Sequence, residues 1–103
     1  MSKTKTDTEK IQEAIGRQIG AIDLSGLGIE DISALARLTQ LRGLDLRDNR
    51  VTDVAPLEGL TELRWLDLGD NRVTDEQVEA LQKALPDCAI FWAGETIRDS
   101  DSG

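Results

Sequence analysis

A chain of 103 residues holds one domain, and a net charge of −8 with a pI of about 4.4 leaves no basic footprint for nucleic acid or an anionic membrane. There is no histidine and no tyrosine, and the one cysteine, Cys88, excludes an intramolecular disulfide. The first residues, MSKTKTDTEK, contain no apolar h-region and no apolar run approaches membrane-spanning length, so a reducing cytoplasm is the expected location.

Residues 1–5 are polar and are expected to be disordered. From Thr6 the residues Ile11, Ala14, Ile15 and Ile19 recur at helical spacing. Thr6 and Glu9 can form a capping box, with Thr8 as a rival N-cap. This predicts a helix over residues 6–18 whose apolar stripe covers the open end of a repeat array beginning at Ile19; the alternative is a helix that docks on another protein.

The array declares itself in the stretch LRGLDLRDN, Leu41 to Asn49, which recurs as LRWLDLGDN, Leu63 to Asn71, at a spacing of 63 − 41 = 22. Stepping back 22 from Leu41, Leu44, Leu46, Val51, Val54, Leu57 and Leu60 lands on Ile19, Ile22, Leu24, Ile29, Ile32, Leu35 and Leu38, all aliphatic. Stepping forward from Leu63, Leu66 and Leu68 lands on Leu85, Cys88 and Ile90, so a fourth unit begins. Phase kept over this distance is the mark of a repeat array, here 19–40, 41–62, 63–84 and a partial 85–93 within 19–93.

Within each unit, alternation such as Ile22 and Leu24 against Ala21, Asp23 and Ser25 predicts a strand with aliphatics inward. Asn49 and Asn71 can satisfy backbone groups where the strand ends. The first unit has Leu27 at that position. Asp31, Asp53 and Asp75 are expected to accept N–H bonds at the start of each return. Val54-Ala55-Pro56-Leu57 suits only tight helical turns, whereas Thr74 to Gln77 reads as a capping box opening about three turns of helix before Pro86. Cys88 to Trp92 should form the last strand, with Cys88 and Ile90 inward, Phe91 outward and Trp92 at the strand-end position of Asp48 and Asp70. Residues 94–103 are expected to be a mobile acidic tail.

The pattern L-x-x-L-x-L-x-x-N-x-V-x-D-V-x-P-L-x-x-L, Leu41 to Leu60, resembles a leucine-rich repeat, more narrowly the short class of bacterial internalins and of regulatory subunits of protein phosphatase 1. DLSGLGIEDIS, Asp23 to Ser33, resembles the first repeats of leucine-rich segments in bacterial Roco-type proteins. The resemblance implies a right-handed α/β solenoid with a parallel sheet on its concave face and short helical or 3-10 returns on its convex face. It also implies that the concave face binds protein. The surface attachment of internalins is not carried over.

Adding 22 gives three columns on the outward sheet face: Ala21, Gly43, Trp65, Asp87; Asp23, Asp45, Asp67, Ala89; and Ser25, Arg47, Gly69, Phe91. Nothing in the repeat requires a tryptophan there, which makes Trp65 a candidate interface anchor, or a side chain that simply packs over its neighbours. Phe91, Arg47 and Asp87 complete its candidate patch. The Asp23, Asp45, Asp67 ladder can be relieved by Arg42, Arg47 and Arg64, or can select Lys or Arg on a partner; a flat ladder does not supply a calcium cage. No histidine, no phosphate loop and a cysteine on a core position predict a non-enzyme without metal or cofactor. The expected function is a protein-binding module, monomeric or weakly dimeric, whose partner offers basic groups. The alternative is a self-assembling protein that pairs through its C-terminal edge strand.

Overall fold

The 22-residue recurrence of aliphatics becomes a stack of short parallel strands. The computed structural model describes residues 6–15 and 20–92. Helix α1 (Asp7–Ile15) precedes β1 (Ala21–Asp23), a 3-10 return (Ser33–Arg37), β2 (Gly43–Asp45), a second 3-10 return (Ala55–Leu57), β3 (Trp65–Asp67), helix α2 (Asp75–Ala84) and β4 (Ala89–Phe91). The strands form one open, parallel sheet in the order β1-β2-β3-β4. The first two pairings keep the spacing of 22, Ala21 opposite Gly43 and Gly43 opposite Trp65.

Alternate residues of each strand enter a single apolar column between sheet and returns. Ile22, Leu44 and Leu66 stack in one row, Leu24, Leu46 and Leu68 in the next, and Leu35 and Leu57 of the 3-10 returns close the far side, all buried. Each such aliphatic contributes about 1.5–3 kcal/mol on leaving water. The second 3-10 return carries Pro56 in its first turn, where no N–H is needed for an intrahelical bond.

The N-terminal helix starts on a reciprocal box. Glu9 N–H donates to Thr6 Oγ1 at 3.1 Å and Thr6 N–H to Glu9 Oε1 at 2.9 Å, so Thr6 is the cap rather than Thr8. Ile11 is fully buried in the common core, with Ala14 and Ile15 half-buried beside it. Asp7 then accepts the N–H groups of Glu30 and Asp31 at 2.9 and 2.8 Å, and Lys10 Nζ donates to Leu27 O at 2.9 Å. The helix is thus fastened to the first repeat by its apolar stripe and by polar groups. The expected residues 16–18 of this helix lie outside the described residues, as do the expected disordered end 1–5 and tail 94–103.

At the second box, Thr74 Oγ1 accepts Gln77 N–H at 3.2 Å, but the Gln77 side chain does not reach back to Thr74. It crosses to the preceding repeat, accepting Val54 N–H at 3.0 Å and donating to Thr52 O. Half a capping box is exchanged for a tie between repeats.

The last pairing departs from the expected spacing. Trp65 lies opposite Ala89 and Asp67 opposite Phe91, a step of 89 − 65 = 24. The ten residues of α2, where the preceding return has three, lengthen the path by two. Because strand side chains alternate with period two, an even slip preserves inside and outside. Ile90 still faces the core. Three expectations are corrected. Asp87 sits in the exposed turn before the strand and not beside Trp65; Ala89 and Phe91 each move one column; and Trp92 does not match Asp48 and Asp70. Trp92 continues the inward positions of Leu24, Leu46 and Leu68 and packs half-buried against the core. The strand itself is Ala89–Phe91, narrower than Cys88 to Trp92.

Candidate functional site

The sheet face turned away from the core carries two full columns, Ala21, Gly43, Trp65, Ala89 and Asp23, Asp45, Asp67, Phe91, with Ser25, Arg47 and Gly69 beyond the strand ends. Neighbouring strands are about 4.8 Å apart, so residues in a column touch.

Trp65 leans toward β2. A methyl group built on Gly43 would collide with the five-membered edge and adjoining ring of the indole. The ring therefore lies across Gly43, which is buried beneath it. Its other side remains open, and the residue keeps 40% of its exposure. The side chain packs on its neighbour and still presents an aromatic surface. Phe91, 54% exposed, stands diagonally across Ala89 and Asp67.

The aspartate ladder is largely engaged with its own chain. Each aspartate accepts the N–H two residues on: Ser25 for Asp23 at 3.0 Å, Arg47 for Asp45 at 3.1 Å and Gly69 for Asp67 at 2.9 Å. The Ser25 hydroxyl adds a 2.7 Å bond, and the two Ser25 groups hold the Asp23 carboxyl below the ordinary carboxylate range. Arg47 grips Asp45 with Nε at 3.0 Å and Nη2 at 2.9 Å, and its Nε lies 3.7 Å from Asp67. The bonds to Asp45, and then its charge, hold the Arg47 guanidinium more firmly protonated. Arg47 is therefore the residue that relieves the ladder. Arg64 instead donates to the carbonyls of Thr61 and Leu63, at 3.4 and 3.3 Å, and Arg42 lines a separate groove with Arg37 at the other end of the strands.

Beyond the ladder, Asp48 and Asp70 adopt left-handed backbone, φ 59° and 56°. This is a conformation that aspartate tolerates better than most residues. A hydrogen bond shared with Asp70, then loss of water, then the like charge of Asp70 raise the pKa of Asp48. A raised carboxyl binds its proton more tightly folded than unfolded, so this pair stabilises at acid pH and loses that contribution as pH climbs past the folded pKa. Asp48→Asn, which donates to Asp70 without a proton from solvent, is expected to melt slightly higher than the parent at pH 7. The gain should vanish as pH falls toward the ordinary aspartate range, a trend that thermal melts across pH will show.

Cys88 is buried, and loss of water raises its thiol pKa, the condition of an inert small hydrophobe. Among the described residues no group of three or more His, Cys, Asp or Glu is placed to hold a metal ion, and no helix is long and apolar enough to cross a membrane. Asp31 and Asp53, by contrast, accept N–H groups of Ser33 and Ala55, both at 2.9 Å, and serve to start the returns. Sequence reasoning missed Ala89 as the neighbour of Trp65. The signal was the length of the helix after Thr74, which implied extra residues before the next strand.

No family model matches the sequence, and no curated protein sequence does. Solved structures match well. Internalin C2 of Listeria monocytogenes is 34% identical over 66% of this chain and 29% of its own, with a TM-score of 0.60. Another internalin of that bacterium is 33% identical over 61% of this chain and 18% of its own, at 0.54. A leucine-rich repeat protein of Leptospira interrogans is 28% identical over 66% and 18%, at 0.59. The chain spans less than a third of the length of each.

Proposed function

We propose that this leucine-rich repeat chain, an open α/β solenoid resembling the internalins, is a non-enzymatic module that binds a protein partner on the outer face of its sheet and favours basic groups there. The observation that carries this reading is Trp65. A flat indole, fixed on one side by Gly43 and open on the other, offers contact area with little rotamer freedom left to lose, as interface anchors do. Phe91 extends the apolar surface, and the ladder leaves two negative charges once Arg47 is set against Asp23, Asp45 and Asp67.

A pull-down from the source cell's lysate with the parent chain and Trp65→Ala in parallel tests this. The expected result is a protein captured by the parent and reduced at least tenfold with the variant, since one central aromatic anchor is worth about 2 kcal/mol or more. Equal capture by both would remove the outer face from the function.

One observation favours a second reading. β4 ends the sheet, and among the described residues nothing pairs with its outer edge. An open edge can add a strand from another copy. Light scattering over a concentration series would then show a dimer that Trp65→Ala leaves intact.

A further inference from the structure

The two-residue slip of β4 builds a cell on the outer face that neither the repeat nor its spacing specifies. Its corners are Trp65 and Asp67 on β3 and Ala89 and Phe91 on β4. Along a strand the corners are about 6.6 Å apart and across strands about 4.8 Å, the size of one planar side-chain head group. Each corner has a defined character. The Trp65 indole leans away onto Gly43, which leaves Ala89 uncovered and exposed. Phe91 is the most exposed large apolar side chain among the described residues. Asp67 uses Oδ1 on Gly69 N–H, while among the described residues its Oδ2 has only the 3.7 Å approach of Arg47 Nε, which is itself bound to Asp45 at 3.0 Å.

Aromatic surface beside a carboxylate with a vacant lone pair, on a ladder that keeps excess negative charge, is the chemistry that receives a cation. An ammonium would bring a tightly held water shell; a guanidinium is planar, weakly hydrated and able to stack on an indole while an edge N–H donates to a carboxylate. We infer that the cell formed by Trp65, Asp67, Ala89 and Phe91 binds a single arginine side chain of the partner, its plane over Ala89 between Phe91 and the near edge of the indole and its own edge on Asp67. This rests on the outer face being the docking face, and names the group that enters it.

The test uses the full chain, labelled with 15N, titrated with a blocked Gly-Gly-Arg-Gly-Gly peptide and its lysine and citrulline counterparts. The arginine peptide should shift the Trp65 indole N–H and the Ala89 and Phe91 amides saturably, with a midpoint on the order of millimolar for one side chain. Lysine should bind at least threefold more weakly, and citrulline, planar but uncharged, should not saturate. Asp67→Asn keeps an acceptor for Gly69 N–H and so keeps the fold, but should weaken arginine binding at least threefold. Asp87→Asn, outside the cell, should bind as the parent does.

Equal binding of arginine and citrulline, or of arginine and lysine, would overturn the assignment. So would shifts spread over the exposed carboxylates at Asp70 and Asp87, which would reduce the effect to attraction by an acidic chain. If Arg98→Ala, a change in the stretch 94–103 outside the described residues, by itself moves the Trp65 indole resonance, the occupant is the chain's own arginine and the partner's is ruled out. Partner capture lost with Trp65→Ala but kept with Asp67→Asn would leave docking on the outer face standing and remove the arginine.

Discussion

Replacing Asn49 with alanine is expected to cost about 4 kcal/mol in urea unfolding, a large part of the 5–15 kcal/mol that holds a domain of this size. Among the described residues Asn49 is the buried polar one, 7% exposed. Its Oδ1 accepts the N–H groups of Leu27 at 3.1 Å and Ile29 at 2.9 Å, and its Nδ2 faces the carbonyls of Leu24, Leu46 and Arg47 at 2.9 to 3.1 Å. Two of those carbonyls have another donor, Leu46 O from Asn71 Nδ2 and Arg47 O from Gly26 N–H. The two amides and Leu24 O are left to the cavity, at about 1–3 kcal/mol for each buried group without a partner. Asn71 is half-buried and accepts one amide, that of Val51 at 2.9 Å, so Asn71→Ala should cost roughly half as much. Equal losses for the two variants would show that the asparagine is needed for the turn itself and not for its neighbour.

Gly43→Ala is the second large effect, about 2 kcal/mol, and its meaning lies in the pairing with Trp65→Ala. The backbone at Gly43 is ordinary strand, so alanine meets no conformational barrier there. The cost is steric: the new methyl occupies the place of the indole, and either the ring leaves or the strand shifts, the usual consequence of overfilling a packed contact. In a Trp65→Ala background the same change should be close to neutral or slightly favourable, because glycine is the poorer strand residue. A double-mutant cycle by chemical unfolding should therefore give a coupling of about 2 kcal/mol. Additive losses would mean that the indole does not rest on Gly43, and with that the fixed anchor is gone.

Most of the architecture was legible because the repeat states it several times. Inward positions such as Ile22, Leu44 and Leu66 obey both the 22-residue period and the two-residue alternation, and the paired constraints leave one arrangement. Thr6 with Glu9 and Thr74 with Gln77 marked the helix starts for the same local reason, a hydroxyl three residues before a free N–H. What escaped was set by length and by choice among partners. The register of β4 depends on how many residues α2 consumes, and a count of 22 assumes a return like the others. Arg42, Arg47 and Arg64 are equivalent in a list of charges; only Arg47, two residues after Asp45 at the end of the same strand, can fold back on the ladder. Gln77 could equally close its own cap or reach the turn of the preceding repeat, and tertiary packing decided that.

The ties between repeats have a direction. Asn49 completes the turn of the repeat before it, Asn71 serves Val51 in the same sense, and Gln77 reaches back to Thr52 and Val54. Each unit is thus finished by its successor, as each course of a dry-stone wall is locked by the one laid above. Shortening the array from its far end takes from the unit that remains the side chains that closed its turn, whereas losing a unit from the near end leaves those side-chain ties of the remaining units in place.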